Sequence, residues 1–161
     1  EEVGEICVKG PTIMRGYWKL PEATSEVLKE GWFYTGDLAR QDQDGYCYIV
    51  DRKKDMIISG GINVYPREIE EVVYTHPAVM ECSVIGVPDE KWGEAVKAVI
   101  RVKPGMKVTP EEIIALCVEN LASYKKPTSV DIVEDMPRTA SGKILKRELR
   151  QSYWKGRERM V

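Results

Sequence analysis

A run of five charged residues, Asp51-Arg52-Lys53-Lys54-Asp55, interrupts this chain where its hydrophobic patterning changes. Burying adjacent unpaired charges is prohibitive, so no packed core absorbs the run, and the chain folds as separate bodies on either side of it. A charged, solvated joint is also where a hinge belongs. Upstream, residues 5–9 read as a short strand broken by Gly10-Pro11. A brief helix follows Pro21, with Thr24, Val27 and Leu28 at helical spacing, and Gly31 ends it. Tyr46 to Val50 is an apolar strand after the turn Asp42-Gln43-Asp44-Gly45. These elements are too short to close a core, so residues 1–50 read as the β-rich tail of a larger body.

Downstream the pattern is richer. Met56-Ile57-Ile58 and Ile62-Asn63-Val64 flank Gly60-Gly61, the composition of a tight strand–turn–strand. Pro66 suits a first helical position, and Ile69, Val72 and Val73 then share one face. Met80, Cys82 and Val84 alternate with polar residues, as do Val96, Ala98, Ile100 and Val102, giving two strands. Thr109-Pro110-Glu111-Glu112 has the form of a capping box, and Ile113, Leu116, Cys117 and Leu121 continue its helix. Val130 to Val133 adds a strand, and Leu145, Leu149 and Tyr153 a last helix. Residues 51–161 therefore predict a small α+β domain, a mixed sheet flanked by helices.

Composition excludes several classes. The chain has 161 residues and a formal net charge of −2, which argues against nucleic-acid binding. No run of 18 apolar residues exists, so no transmembrane segment is expected. The opening Glu1-Glu2-Val3-Gly4-Glu5 lacks methionine and resembles no signal peptide, the expectation being a piece of something longer. Cys7, Cys47, Cys82 and Cys117 are far apart without a C-x-x-C pair, which fits reduced thiols in a cytoplasmic protein better than disulfides or zinc. His76 is the sole histidine and precedes Pro77, so a structural or solvent-facing role is expected of it and no metal site is assigned. Lys143 to Arg159 holds seven basic residues against two acidic ones, a phosphate-facing patch or a solvated helix face.

A few residues carry chemistry. Asp37 follows Thr35-Gly36, where a sharp turn would present its carboxylate at a loop tip. A carboxylate accepts two hydrogen bonds from a ribose diol, and equally bonds its own turn. Arg52 ends a strand with fork-shaped donors for ribose or phosphate, or for an ion pair with Asp51 or Asp55. Gly60-Gly61 is either an ordinary hairpin turn or a place where an extended ligand slides past the backbone. Lys143 follows Ser141-Gly142; its ammonium can track a transferring phosphoryl group or simply be solvated. Neither G-x-x-x-x-G-K-[ST] nor G-x-G-x-x-G occurs, so the common phosphate cradles are missing.

Gly16-Tyr17-Trp18, Gly31-Trp32-Phe33-Tyr34-Thr35-Gly36-Asp37, Asp51-Arg52-Lys53-Lys54-Asp55, Gly86-Val87-Pro88-Asp89 and Gly142-Lys143 stand in this order along the chain. With them the chain resembles the C-terminal portion of the adenylate-forming superfamily, which holds acyl-CoA synthetases, peptide-synthetase adenylation domains and luciferases. The resemblance runs from Gly4 to about Arg150. It implies that residues 1–50 end a large N-terminal AMP-binding domain and that 51–161 form a mobile C-terminal domain with its hinge at Lys54. It further implies that Asp37 binds the ribose of ATP with help from Arg52, and that Lys143 is the catalytic lysine of adenylation and binds the nucleotide. Gly60 and Gly61 would line the pantetheine tunnel, with Trp92 and Lys125 near the CoA nucleotide.

Ser59-Gly60-Gly61-Ile62-Asn63-Val64-Tyr65-Pro66 is similar to an acyl-CoA ligase of the fatty-acid type rather than to peptide synthetases. Some relatives carry an arginine just after the glycines, where this chain has Ile62 and Asn63. The implied reaction activates a carboxylic acid with ATP and passes the acyl group to CoA. Mg2+ ligands are expected in the N-terminal domain, which would be the main partner, and a homodimer is possible. On this reading residues 1–161 alone are inactive. Two alternatives stay open: loading of a carrier-protein phosphopantetheine, and a non-catalytic interaction module.

Overall fold

The computed structural model describes residues 2–156. Arg157, Glu158 and Arg159 of the basic segment lie outside these. The chain separates into two compact units that divide between Lys54 and Asp55. The division expected at residues 50/51 falls inside a strand that runs to Arg52.

The first unit contains β1 (Val3–Val8), α1 (Pro21–Val27), β2 (Leu28–Lys29), β3 (Trp32–Gln41) and β4 (Cys47–Arg52). β3 is central to an antiparallel sheet, with β1 along one edge and β2 then β4 along the other. Two elements differ from the expectation. The helix begun by Pro21 stops at Val27, because Leu28-Lys29 pairs with Trp32-Phe33 and Glu30-Gly31 makes the hairpin turn with φ of 51° and 81°. β3 itself was not foreseen: its mixed composition, with Thr35, Gly36 and Asp37 inside, hides the alternation that marks a strand. Leu38 and Ala39 are the only buried hydrophobic residues described in this unit, while Trp18, Tyr46 and Ile49 are exposed. The expectation that this segment cannot enclose a core of its own is met.

The second unit holds β5 (Ile57–Ser59), β6 (Ile62–Val64), α2 (Pro66–Tyr74), β7 (Val79–Asp89), β8 (Gly93–Val102), α3 (Pro110–Asn120), β9 (Ser129–Ile132) and α4 (Lys146–Gln151). It is the α+β domain with a mixed sheet that the patterning predicts. β7 and β8 form a long antiparallel ribbon, β9 runs parallel to β8, and the β5–β6 hairpin joins through Ser59 opposite Gly93.

Even-numbered residues of the ribbon (Cys82, Val84, Val96, Ala98, Ile100) pack with Ile69 and Val73 of α2 and Ile113 and Cys117 of α3. The odd-numbered Ile85, Val87, Ala95 and Val99 meet Met136, Ile144, Leu149 and Tyr153 from the C-terminal segment. Each fully buried Ile or Val contributes about 1.5–3 kcal/mol over its exposed state. The second face is not a solvated one: Lys97, which alternates with Val96 and Ala98, lies on it and is buried. It is 9% exposed, its ammonium 2.7 Å from Asp131 Oδ1 and over the Tyr153 ring, while the Tyr153 hydroxyl donates to the other oxygen of Asp131. Met80 departs from its expected face: the ladder slips between Val79 and Glu81, leaving Met80 exposed.

β7 is an edge strand, and α2 covers its free groups. Glu70 accepts from the amide of Val84 at 2.7 Å, and the Tyr74 hydroxyl accepts from that of Cys82 at 3.0 Å. The capping box at α3 forms as foreseen, Thr109 and Glu112 exchanging side-chain-to-backbone bonds. His76 Nδ1 accepts from the amide of Ala78 at 3.3 Å, the structural one of the two roles expected of it. Among the described residues no helix is long and apolar enough to cross a membrane.

All four cysteines are free. Burial, with the Glu70 carboxylate next in effect, pushes the Cys82 thiol far up, and burial pushes Cys117 up to about 11. At pH 8, iodoacetamide therefore labels the exposed Cys7 and Cys47 readily in the native chain and spares Cys82 and Cys117 until denaturant is added. Mass spectrometry of the peptides reads this out; fast labelling of Cys117 would contradict the packing of α3.

Candidate functional site

The residues singled out by chemistry gather at three places. In the first unit, β3 and β4 bring Asp37 and Arg52 opposite each other although fifteen positions separate them in the chain. Arg52 Nε lies 2.7 Å from Asp37 Oδ1, and the Asp37 side chain stays 26% exposed. The sequence offered Asp51 or Asp55 as partners of Arg52. Instead, Asp51 Oδ1 accepts from the Arg52 amide at 2.7 Å, and Asp55 meets Arg150 at 3.3 Å.

Asp37 is not at a loop tip, which corrects the sequence reading. Between the pairs Glu5–Leu38 and Cys7–Tyr34, β1 spends one residue and β3 three, so Thr35-Gly36-Asp37 bulges out of a continuous strand. Gly36, at φ 73°, supplies the turn that permits this. Glu5 holds the bulge by accepting from the Gly36 amide at 3.1 Å and pairing with Lys53 at 2.9 Å. The Thr35 hydroxyl donates to Ile6 O and accepts from the Asp37 amide. A carboxylate with one oxygen on a guanidinium and part of its surface open can still accept bonds from a diol. Lys54 sits in the 3-10 turn Lys53–Asp55, at the point where the two compact units divide.

The second place is the β5–β6 hairpin. Gly60 and Gly61 have φ of 57° and 81°, a turn that side-chain-bearing residues enter with strain. The Gly60 amide donates to Trp92 O at 2.8 Å, and a Cβ on Gly60 would stand 2.7 Å from the Trp92 ring. Trp92 is set by the β7–β8 turn, where Asp89 Oδ1 accepts from its amide at 2.8 Å. Ser59, Gly60, Trp92, Tyr124, Lys126 and Thr128 line a groove of about 340 Å³ beside the hairpin.

Lys125 turns elsewhere, its ammonium 2.7 Å from both oxygens of Glu68 on α2. Burial works to lower this lysine, but the Glu68 carboxylate outweighs it and holds the ammonium above the ordinary lysine value. Its neighbour Lys126, together with Tyr124, faces the groove. Sequence reasoning missed both, since alternation around a lysine pair gives no sign of which one faces inward.

The third place is the hairpin carrying Lys143. Arg138 and Ile144 bridge, Thr139 N donates to Lys143 O at 2.8 Å, and Gly142 (φ 83°) makes the turn. Lys143 is exposed, and its ammonium pairs with no described residue. Arg138 anchors the hairpin: one arm reaches Glu81 Oε2 at 2.5 Å and another donates to Gly142 O at 3.3 Å. Arg101, the cross-strand partner of Glu81, meets the same oxygen at 2.7 Å. The Arg138 hydrogen bond, opposed by burial and aided by Arg101, holds the Glu81 carboxyl below the ordinary glutamate value.

The lysine hairpin is thus tied to the Glu81 end of the ribbon, and the glycine hairpin abuts its Asp89–Gly93 end. Eight residue steps along β7, from Glu81 to Asp89, separate those ends, roughly 26 Å.

Residues 68–143 match the family described as the AMP-binding enzyme C-terminal domain. A feruloyl-CoA synthase of an Amycolatopsis species is 53% identical over 152 residues, 94% of this chain and 31% of that protein. A long-chain-fatty-acid–CoA ligase of Bacillus subtilis is 51% identical over 148 residues, covering 92% of this chain and 26% of the relative. Among solved structures, the o-succinylbenzoate CoA synthetase of Bacillus subtilis in complex with an acyl-adenylate intermediate superposes with a TM-score of 0.85 at 42% identity, over 92% of this chain and 30% of that one. The chain spans about a third or less of the relatives it matches. Residues 68–143 thus carry an AMP-binding enzyme C-terminal domain, and more than nine-tenths of the chain is similar to part of CoA ligases and synthetases.

Proposed function

We propose that this chain serves an AMP-forming acid–thiol ligase, contributing the end of the nucleotide site and the mobile domain that changes between two half-reactions. In the first, a carboxylate oxygen attacks the α-phosphorus of ATP, pyrophosphate leaves, and an acyl-adenylate forms. In the second, the thiol of CoA attacks the acyl carbon, losing its proton, and AMP leaves. The observation that carries this reading is the placement of the lysine and glycine hairpins at opposite ends of one sheet. One rigid unit cannot present both to a single ligand at once, so alternation requires the unit to turn, and Lys54 stands where the compact units divide.

In this reading Asp37 accepts from the ribose hydroxyls while Arg52 holds its other side. Lys143 meets the negative charge that gathers on phosphate oxygens in the first step, worth about 3–4 kcal/mol in comparable sites. Gly60 and Gly61 let the pantetheine arm pass close to the backbone. Trp92 and the groove beside it suit the nucleotide end of CoA, with Lys126 offering its charge there and Lys125 bracing α2. Mg2+ enters with ATP, its ligands assigned to residues outside this chain.

A fatty acid is the proposed acyl donor, in keeping with the Bacillus ligase; the feruloyl-CoA synthase favours an aromatic acid as a second reading. Acid-dependent ATP–pyrophosphate exchange and thioester formation in the complete enzyme, with fatty and aromatic acids compared, test the assignment. Asp37→Ala should raise the KM for ATP ~10–100-fold, the loss of about 1.5–3 kcal/mol of charge-assisted hydrogen bonding. An unchanged KM would remove the ribose role. Thioester formed on a carrier protein but not on free CoA would move the acceptor to phosphopantetheine.

A further inference from the structure

The Lys143 hairpin is short, exposed and glycine-bearing, yet the proposed chemistry asks its ammonium to meet developing charge within tenths of an ångström. Within the hairpin, Thr139 N to Lys143 O, Gly142 N to Thr139 O and Lys143 N to Thr139 Oγ1 fix the turn on itself. None of these fixes it to the domain. That connection is made by Ile144, which packs on the second core cluster, and by Arg138.

Arg138 does two things with one planar group. Its Nη2 sits 2.5 Å from Glu81 Oε2 on β7, and its Nη1 donates to the carbonyl of Gly142, the residue before the lysine. Glu81 cannot swing to follow it, because Arg101 on β8 takes the same oxygen at 2.7 Å. Asp135 lies 3.9 Å from both guanidinium groups and balances the second positive charge. A rigid sheet position is thereby transmitted through a fork to the backbone that carries Lys143.

We propose that Arg138, seated on Glu81 and Arg101, is a positioning residue for Lys143. It sets where the lysine enters during adenylation and has no part in thioester formation. This rests on the adenylation role given to Lys143 above.

The test uses the complete enzyme and measures the half-reactions separately: acid-dependent ATP–pyrophosphate exchange, and thioester formation from supplied acyl-adenylate and CoA. Arg138→Ala removes both arms. Arg138→Lys keeps a charge for Glu81 but cannot also hold Gly142 O, so it retains the fold if Arg138→Ala does not. For Arg138→Lys, kcat of the first half-reaction should fall on the order of tenfold with the KM for ATP unchanged. The second half-reaction should be unaffected, and amide exchange at Thr139 and Gly142 should quicken. Equal loss in both half-reactions would make Arg138 merely structural, and no loss in either would remove its role; either overturns the proposal. Lys143→Ala, run alongside, separates the two ideas. If Lys143→Ala spares adenylation, the functional reading itself fails. If Lys143→Ala abolishes adenylation while Arg138→Lys does not touch it, only the positioning inference fails.

Discussion

Lys143→Ala in the complete enzyme should slow acyl-adenylate formation by ~10²–10³-fold, the cost of deleting one preorganised charge from a phosphoryl-transfer site. Thioester formation from supplied acyl-adenylate should remain within about twofold of the parent, a margin of roughly 0.4 kcal/mol in barrier. The asymmetry follows from the hairpin's place. Lys143 is exposed at the Glu81 end of the β7–β8 ribbon, with no core contact of its own, so removing its side chain leaves the packing behind it intact. Stopped-flow or pyrophosphate exchange measures the first step and thiol consumption the second. Equal losses in both would contradict the division of labour between the two ends of the sheet.

Gly60→Val is the mirror experiment. The backbone there has φ of 57°, where a β-branched residue is strained, and any Cβ would stand 2.7 Å from the Trp92 ring. Two costs follow, together of order 2–4 kcal/mol: backbone strain in the hairpin and displacement of the indole that lines the groove. Thioester formation should fall at least ~10-fold while pyrophosphate exchange persists, since β5–β6 is far along the sheet from Lys143. A circular-dichroism melt of the variant tells local distortion from global unfolding. Retention of full thioester activity would rule out close passage of the acceptor arm at Gly60.

The two experiments bear on one geometric fact. Each hairpin is short and turns on glycine, but they attach to the ribbon by different means. The lysine hairpin is held by a guanidinium–carboxylate contact and by the packing of Ile144. The glycine hairpin abuts an indole and a backbone bond, Gly60 N to Trp92 O. Substitutions in one should therefore act independently of the other, because their attachment points lie roughly 26 Å apart along β7 and share no partner.

How much was legible beforehand depended on the range of the interactions. Local signals read well: Pro66 at the start of α2, the Thr109–Glu112 box, and Gly60-Gly61 as a two-residue hairpin turn all depend on neighbours a few positions away. Alternation found β8, and the charged run at 51–55 fell where the chain divides. Reading failed where a strand's reason to exist lay in distant partners. β3 carries no clean alternation, because its bulge at Thr35-Gly36-Asp37 is paid for by pairing with β1 and β4 on both edges. Alternation alone says only that Lys97 faces away from Val96 and Ala98; Asp131 and Tyr153, more than thirty positions away, are what close over it.

The order and types of residues alone determined the α+β character of the second unit, the lack of a self-sufficient core in the first, and the identity of the chemical groups Asp37, Arg52 and Lys143. The tertiary structure decided which of these meet. It put Arg52 on Asp37 rather than on Asp51 or Asp55, sent Lys125 to Glu68 while Lys126 took the groove, and hung Lys143 from Arg138. The physical reason is that a side chain's chemistry is a property of its residue, whereas its partner is set by strand register and by which face is buried, and both depend on contacts between residues far apart in the chain.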